Sequence, residues 1–182
     1  MVYVFLADGF EEIEAVAPID ILRRLNIPVT IVGVTGKSVK GSHNICIDAD
    51  ISIDQKDFED ATALVLPGGM PGTTNLLNND KLCQVISEQS KKGKIIAALC
   101  AAPSILSKLG LLKARDFTCY PGFEKNSGGN YKNLPLVISE GKFTLITAWG
   151  PGAAYRFGFA LAEKITGENV DNLKASMMMC GD

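Results

Sequence analysis

The stretch Ile95-Ile96-Ala97-Ala98-Leu99-Cys100-Ala101-Ala102-Pro103 decides how the chain is read. Its first five residues are all apolar, which suits a strand buried on both faces. They run without a linker into a turn flanked by small side chains. Residues 101–109 then form a short apolar segment ended by Gly110, and this reads as a helix. A strand that turns sharply into a helix belongs to an α/β architecture, in which parallel strands are joined by helical crossovers.

The same alternation extends in both directions. Residues 2–7 read as a first buried strand. Residues 12–25 read as a helix, with Ile13, Val16, Ile19 and Leu22 at helical spacing on the expected buried face. Residues 28–34 are rich in β-branched side chains and predict a second strand. Residues 36–53 alternate in short pieces (Ile45, Ile47, Ile51, Ile53) and predict a small antiparallel excursion. Ala63–Leu66 is a further strand, closed by Pro67-Gly68-Gly69, and residues 81–91 an amphipathic helix. Residues 136–138 and 143–147 read as strands meeting around Glu140-Gly141. A last helix opens at Pro151 or Gly152, runs to about Ile165 and ends at Gly167. The prediction is a mostly parallel sheet with helices on both faces, whose ligand lies beyond the carboxyl ends of the strands.

Composition narrows the function classes. A chain of 182 residues corresponds to one domain. Hydrophobic residues make up 47% and charged residues 21%, as in an ordinary globular protein. Eighteen basic against twenty acidic residues leave a net charge of −2 with no basic segment, so neither nucleic acid nor a membrane surface is an expected partner. No apolar run approaches the roughly 20 residues of a membrane span. The first residues, Met1-Val2-Tyr3-Val4-Phe5-Leu6, meet Asp8 at once and read as a strand rather than a signal peptide. Five cysteines (46, 83, 100, 119 and 180) form no CxxC pair, which argues against a disulfide framework or zinc site and for a reduced, cytoplasmic setting. His43 is the only imidazole, so neither a metal centre nor a histidine-based mechanism is expected.

Three turns fall at predicted strand ends: Asp8-Gly9-Phe10-Glu11-Glu12, Pro67-Gly68-Gly69, and Cys100-Ala101-Ala102-Pro103. Cys100 has Ala98 and Ala102 two residues away on either side, as a tight turn presenting a nucleophile requires. Such a residue is expected to be strained and to face the cleft. A helix starting directly after it is expected to lower the thiol pKa. The bland alternative is a buried cysteine acting as a small hydrophobe. Cys46 and Cys83 receive that bland reading. Cys119, before Tyr120-Pro121, lies near the cleft, with a resolving thiol as its alternative. Cys180 sits in a tail, Met177-Met178-Met179-Cys180, read as an apolar docking strip.

Carboxylates are left to move protons. Glu11 and Glu12 are read as solvated acids at a helix start. Glu14 has two readings: another solvated acid, or a desolvated acid kept protonated beside the thiol. His43 is read as a polar rim residue, with a catalytic base as the alternative. Pro67-Gly68-Gly69-Met70-Pro71-Gly72 lets backbone approach a ligand closely, and with the Ala101 amide it predicts an oxyanion pocket.

These residues carry a resemblance. Leu6-Ala7-Asp8-Gly9-Phe10-Glu11-Glu12-Ile13-Glu14, Pro18-Ile19-Asp20 and Arg23-Arg24 fall in order with Leu66-Pro67-Gly68-Gly69-Met70-Pro71-Gly72, Ala97-Ala98-Leu99-Cys100-Ala101-Ala102-Pro103 and Gly150-Pro151-Gly152. The set resembles the ThiJ/PfpI superfamily over essentially the whole chain, most closely the branch of the parkinsonism-associated protein deglycase. The resemblance implies one flavodoxin-like, class I glutamine amidotransferase-like domain, usually homodimeric and cofactor-independent. It implies a nucleophile at Cys100 that oxidises readily to sulfinic acid, a partner acid at Glu14, and backbone amides at Gly69 and Ala101 with Gly68 adjacent. Its implied activities are glyoxalase, deglycase, stress-response and chaperone-like, with a small carbonyl compound as substrate. The chain departs from the family pattern in the pocket. Tyr120 stands where a histidine is found, and His43 and Trp149 stand where two arginines are found, while Arg24 matches. A histidine directly after the cysteine marks the peptidase branch, and here that residue is Ala101.

Overall fold

A computed structural model describes residues 1–179. Strand β1 (Val2–Leu6) leads to helix α1 (Glu12–Arg24), β2 (Val29–Gly33), the hairpin β3 (Ser38–Lys40) and β4 (Cys46–Asp48), and β5 (Ile51–Ser52). Next come β6 (Ala63–Leu66), α2 (Gly72–Leu77), α3 (Asp80–Lys91), β7 (Ile95–Leu99) and α4 (Pro103–Lys108). The chain continues through β8 (Asp116–Phe117), β9 (Asn130–Tyr131), β10 (Leu136–Ser139), β11 (Leu145–Ala148), α5 (Ala154–Thr166) and α6 (Asp171–Ser176).

Seven strands form the central sheet in the order β10-β11-β7-β6-β1-β2-β5. Every pairing in it is parallel except β10 with β11. The alternation of side chains along a strand divides the core into two layers. Val2, Val4, Leu6, Val65, Ala97 and Ile146 face one cluster with α1 and α5. Tyr3, Phe5, Leu64, Leu66, Ile96 and Leu145 face the other, with Leu82, Ile86, Ile105 and Leu106. This is the flavodoxin-like three-layer sandwich, and its strands are apolar throughout because both faces are covered.

The chain leaves β1 toward β2 on one side and returns to β6 on the other. The carboxyl ends of β1 and β6 are therefore neighbours at the point where winding reverses, and β7 lies next to them. In open α/β sheets that crevice holds the ligand.

Several expectations need correction. Ile13 and Val16 are exposed (52% and 47%), whereas Ile19 and Leu22 are buried as expected; α1 also buries Glu12, Glu14, Ala15 and Ile21. The reason is the second helix of that layer. α5 packs so closely on α1 that a Cβ at Gly158 would lie 2.6 Å from Ile21 Cδ1 and 3.1 Å from Pro18 Cα. The excursion at 36–53 is antiparallel only in β3–β4, since β5 joins the main sheet parallel to β2. α4 starts at Pro103, after a turn, and not directly after Cys100. Helices α2 and α6 and the small parallel pair β8–β9 were not expected. In the apolar tail Met177 packs on the core and Met178 is exposed, while Cys180 lies outside the described residues. Among the described residues no helix is long and apolar enough to cross a membrane.

Candidate active site

Cys100 follows the last residue of β7 and adopts φ +61°, a conformation that L-residues other than Asn and Asp rarely take. Two hydrogen bonds hold it there. Its N–H donates to Ala148 O at 2.8 Å, and its own carbonyl accepts the Tyr120 N–H at 2.9 Å. The strained turn expected from the sequence is present, and Cys100 is half-exposed.

Glu14 comes from the first turn of α1. Glu11 caps that helix, its carboxylate accepting the Glu14 N–H at 2.8 Å. The Glu14 side chain is fully buried. Oε2 accepts the Gly68 N–H at 2.7 Å. Oε1 is buried without a hydrogen-bond partner, and the carboxyl feels both the Cys100 thiol and the charge of Glu11. Gly68 is packed between them, because a Cβ there would lie 2.6 Å from Cys100 Cβ and 2.8 Å from Glu14 Oε2. Gly69 adopts φ +90°, and a Cβ on it would strike Glu11 N at 2.4 Å.

The electrostatics differ from the expected acidified thiol. Burial, then the charge of Glu14 and its hydrogen bond, push the Cys100 thiol up to about 12. The N–H groups of Gly69 and Ala101 pull it the other way. Burial likewise lifts Glu14 to about 7. Two of the three causes that raise the thiol act only while Glu14 is ionised. Once Glu14 holds a proton, the sulfur keeps its two amide donors and loses its repulsive neighbour. The two groups therefore titrate as one unit, which gives up its first proton near neutrality. The acidifying helix is replaced by two loop amides, since α4 starts beyond the turn.

The structure brings Cys100, Glu14, Gly68, Gly69 and Ala101 together. Gly68 is not available as an oxyanion donor, because its N–H is committed to Glu14. Tyr120 and Trp149 stand at the same end of the sheet. The Tyr120 ring rests on Gly150, where a Cβ would meet Cδ2 at 3.4 Å. Arg24 is not brought to Cys100 within one chain. It pairs with Asp20 at 2.7 Å, ten residues from Glu14 and so about 15 Å along the helix axis.

His43 lies elsewhere, and Glu12 is not solvated. Positions 12 and 14 are about 200° apart around α1, so their side chains leave on nearly opposite sides. Glu12 is buried under the loop between β3 and β4. It accepts the His43 N–H at 2.6 Å and the Ser42 hydroxyl at 3.3 Å, and it faces His43 Nδ1 at 2.8 Å. Burial raises Glu12, but these hydrogen bonds outweigh it and hold the carboxyl below its ordinary value. The same hydrogen bond, then the Glu12 charge, raises His43, whose side chain is 70% exposed. Glu11, Glu12 and His43 place ligand atoms within 4.8 Å of one another, yet Glu12 already carries N–H and O–H donors. The signal that Glu12 is buried was absent from its own helix and lay in the polar loop 41–45 that caps it.

Cys119 is buried, and burial, then the charge of Glu124, raises its thiol to about 12. Cys46 is exposed on β4 and Cys83 half-buried on α3, so neither is the buried small hydrophobe expected from the sequence.

The chain resembles known proteins over this whole arrangement. The Drosophila melanogaster protein dj-1beta is 36% identical over 168 residues, covering 91% of this chain and 89% of that protein. A Caenorhabditis elegans protein named glutathione-independent glyoxalase DJR-1.2 is 31% identical over 166 residues, covering 89% and 86%. The solved structure of oxidized Toxoplasma gondii DJ-1 superposes with a TM-score of 0.90 at 30% identity, covering 99% and 98%. The model of the DJ-1/PfpI family matches residues 1–164, and the chain belongs to that family.

Proposed function

We propose that this protein is a cysteine-dependent, cofactor-independent enzyme of the glyoxalase or deglycase type, acting on reactive dicarbonyls such as methylglyoxal. The observation that carries the reading is the buried Glu14 carboxyl, fixed through Oε2 by the Gly68 N–H and held beside Cys100 across Gly68. A desolvated acid with a value near 7 is suited to both giving and taking a proton at neutral pH.

In this mechanism Cys100 sulfur adds to the aldehyde carbon of methylglyoxal, and the carbonyl oxygen takes up a proton, giving a hemithioacetal. Glu14 removes the proton from that carbon and returns one to the neighbouring carbon through an enediol. The product is a thioester of lactate, and water cleaves it to lactate and the free thiol. One molecule of water is added overall, and no external oxidant is needed. The amides of Gly69 and Ala101 stabilise negative charge at the sulfur. Turnover by wild type, Cys100→Ala and Glu14→Gln tests this. Loss of activity by 100-fold or more is expected in both variants, and undiminished activity in Cys100→Ala would end the mechanism.

A second reading, an oxidative-stress sensor or chaperone-like protein without significant turnover, draws on the same geometry. An acid beside the sulfur can donate to a sulfinate formed there, and a solved relative is described as oxidized. Intact mass after mild peroxide separates the two: two added oxygens on Cys100 with negligible carbonyl turnover favour the sensor. We further propose a homodimer in the cytoplasm. The resemblance supports the dimer, the exposed Ile13 and Val16 on α1 offer it apolar surface, and the free cysteines suit a reducing compartment.

A further inference from the structure

Three segments meet at Cys100, and two of them carry exposed aromatic residues. Ala148, which accepts the Cys100 N–H, is followed directly by Trp149. Tyr120 donates its N–H to the Cys100 carbonyl and lays its ring on Gly150, the residue after Trp149. The two hydrogen bonds that hold the nucleophile thus tie it to Tyr120 and to the neighbour of Trp149. Both rings are well exposed, Tyr120 by 49% and Trp149 by 37%. From β6 the loop through Gly69 continues into Met70, which is 51% exposed.

The arginines are engaged elsewhere. Arg23 pairs with Asp50 and Arg24 with Asp20. Arg115 clamps the carbonyls of Ser139 and Phe143. Arg156 lines a separate groove with Leu136 and Phe159. The charge nearest the nucleophile is the carboxyl of Glu14, which disfavours an anion. An anionic substrate would give up hydration without gaining a guanidinium, while an apolar group can lie against an aromatic ring.

We propose that the exposed Tyr120, its ring resting on Gly150 next to Trp149 in the chain, selects uncharged α-oxoaldehydes bearing an aryl or bulky apolar substituent over anionic ones. This rests on the reading that Cys100 attacks a carbonyl. With phenylglyoxal the chemistry is the same proton shift and hydrolysis, and the product is mandelate.

The test compares kcat/KM for phenylglyoxal, methylglyoxal and the carboxylate-bearing dioxovalerate in wild type, Tyr120→Ala and Tyr120→Phe. A parallel arm needs no turnover: rates of Cys100 alkylation by phenacyl bromide and by iodoacetate, read by intact mass. Wild type is expected to prefer phenylglyoxal to dioxovalerate by 100-fold or more. Tyr120→Ala should lose about 10-fold on phenylglyoxal and less than twofold on methylglyoxal, as one aromatic contact implies. Tyr120→Phe, which keeps the ring, should behave as wild type. If nothing is turned over but the preference for phenacyl bromide falls in Tyr120→Ala and survives in Tyr120→Phe, the rim stands and the catalytic reading fails. Equal losses on both aldehydes in Tyr120→Ala, or a preference unchanged by that substitution in either arm, would overturn the proposal.

Discussion

The backbone N–H of Gly68 donates to Oε2 of Glu14 at 2.7 Å, joining the loop after β6 to the first turn of α1. That bond fixes the buried carboxyl beside Cys100. It is possible only because residue 68 has no side chain, since a Cβ would lie 2.6 Å from Cys100 Cβ and 2.9 Å from Ala101 N.

Gly68→Ala is therefore expected to spoil the site more than the fold. Overpacking of this kind costs about 1–3 kcal/mol, read as a lower urea midpoint. Because the methyl group would push Glu14 and Cys100 apart, methylglyoxal turnover should fall at least 10-fold. Turnover equal to wild type would show that the contact is not part of the site.

Stability should fall between about pH 4.5 and 7 because of Glu14. Burial raises its folded value from 4.5 to about 7, so in that window the folded protein holds a proton that the unfolded chain has released. Protonation favours the native state fully below the unfolded value, and the benefit is lost as pH rises through 7. The size is on the order of 3 kcal/mol. Glu14→Gln removes the titration, and its urea midpoint should change less between pH 4.5 and 7.5 than that of wild type.

Glu12 contributes with the opposite sign. Its hydrogen bonds hold it below its ordinary value, so its contribution is present above 4.5 and is lost as pH falls through the lowered folded value. Glu12→Ala frees the loop 41–45 and leaves the His43 N–H without its acceptor, at a cost of about 1–3 kcal/mol. His43→Ala should leave turnover within twofold of wild type, because this pair sits across the helix from Cys100. A 10-fold loss in that variant would restore His43 as a catalytic candidate.

Arg115 closes the β10–β11 hairpin, its guanidinium bonded to the carbonyls of Ser139 and Phe143 and stacked 4.2 Å from the Phe143 ring centre. Arg115→Ala should lower stability by about 2 kcal/mol, with hydrogen exchange accelerated first in residues 136–148.

How far the chain was legible follows from where each signal lies. Strands such as Ile95–Leu99 were visible because both their faces are buried, so they read as unbroken apolar runs. The elbow was visible because its backbone demands small neighbours. Half of the spaced apolar face of α1 holds, with Ile19 and Leu22 buried, while Ile13 and Val16 have the right spacing and point outward. In their place the helix presents Ala15 and Ile21 to α5 and the sheet, and small alanines signal packing weakly. Glu14 was singled out, yet its burial follows from Gly68 and Cys100, more than fifty residues away in sequence. Glu12 was misjudged for the same reason. Helix α2 (Gly72–Leu77) has one turn of polar residues and no periodicity to detect.

The central claim is that Cys100 and Glu14 share one proton near neutral pH. The most direct measurement is the rate of Cys100 alkylation by iodoacetamide from pH 5 to 10, in wild type and Glu14→Gln, with the site identified by intact mass and peptide mapping. A wild-type profile that rises through a step near 7, and a Glu14→Gln profile that lacks this step, is the predicted result. Superimposable profiles for the two proteins would contradict it.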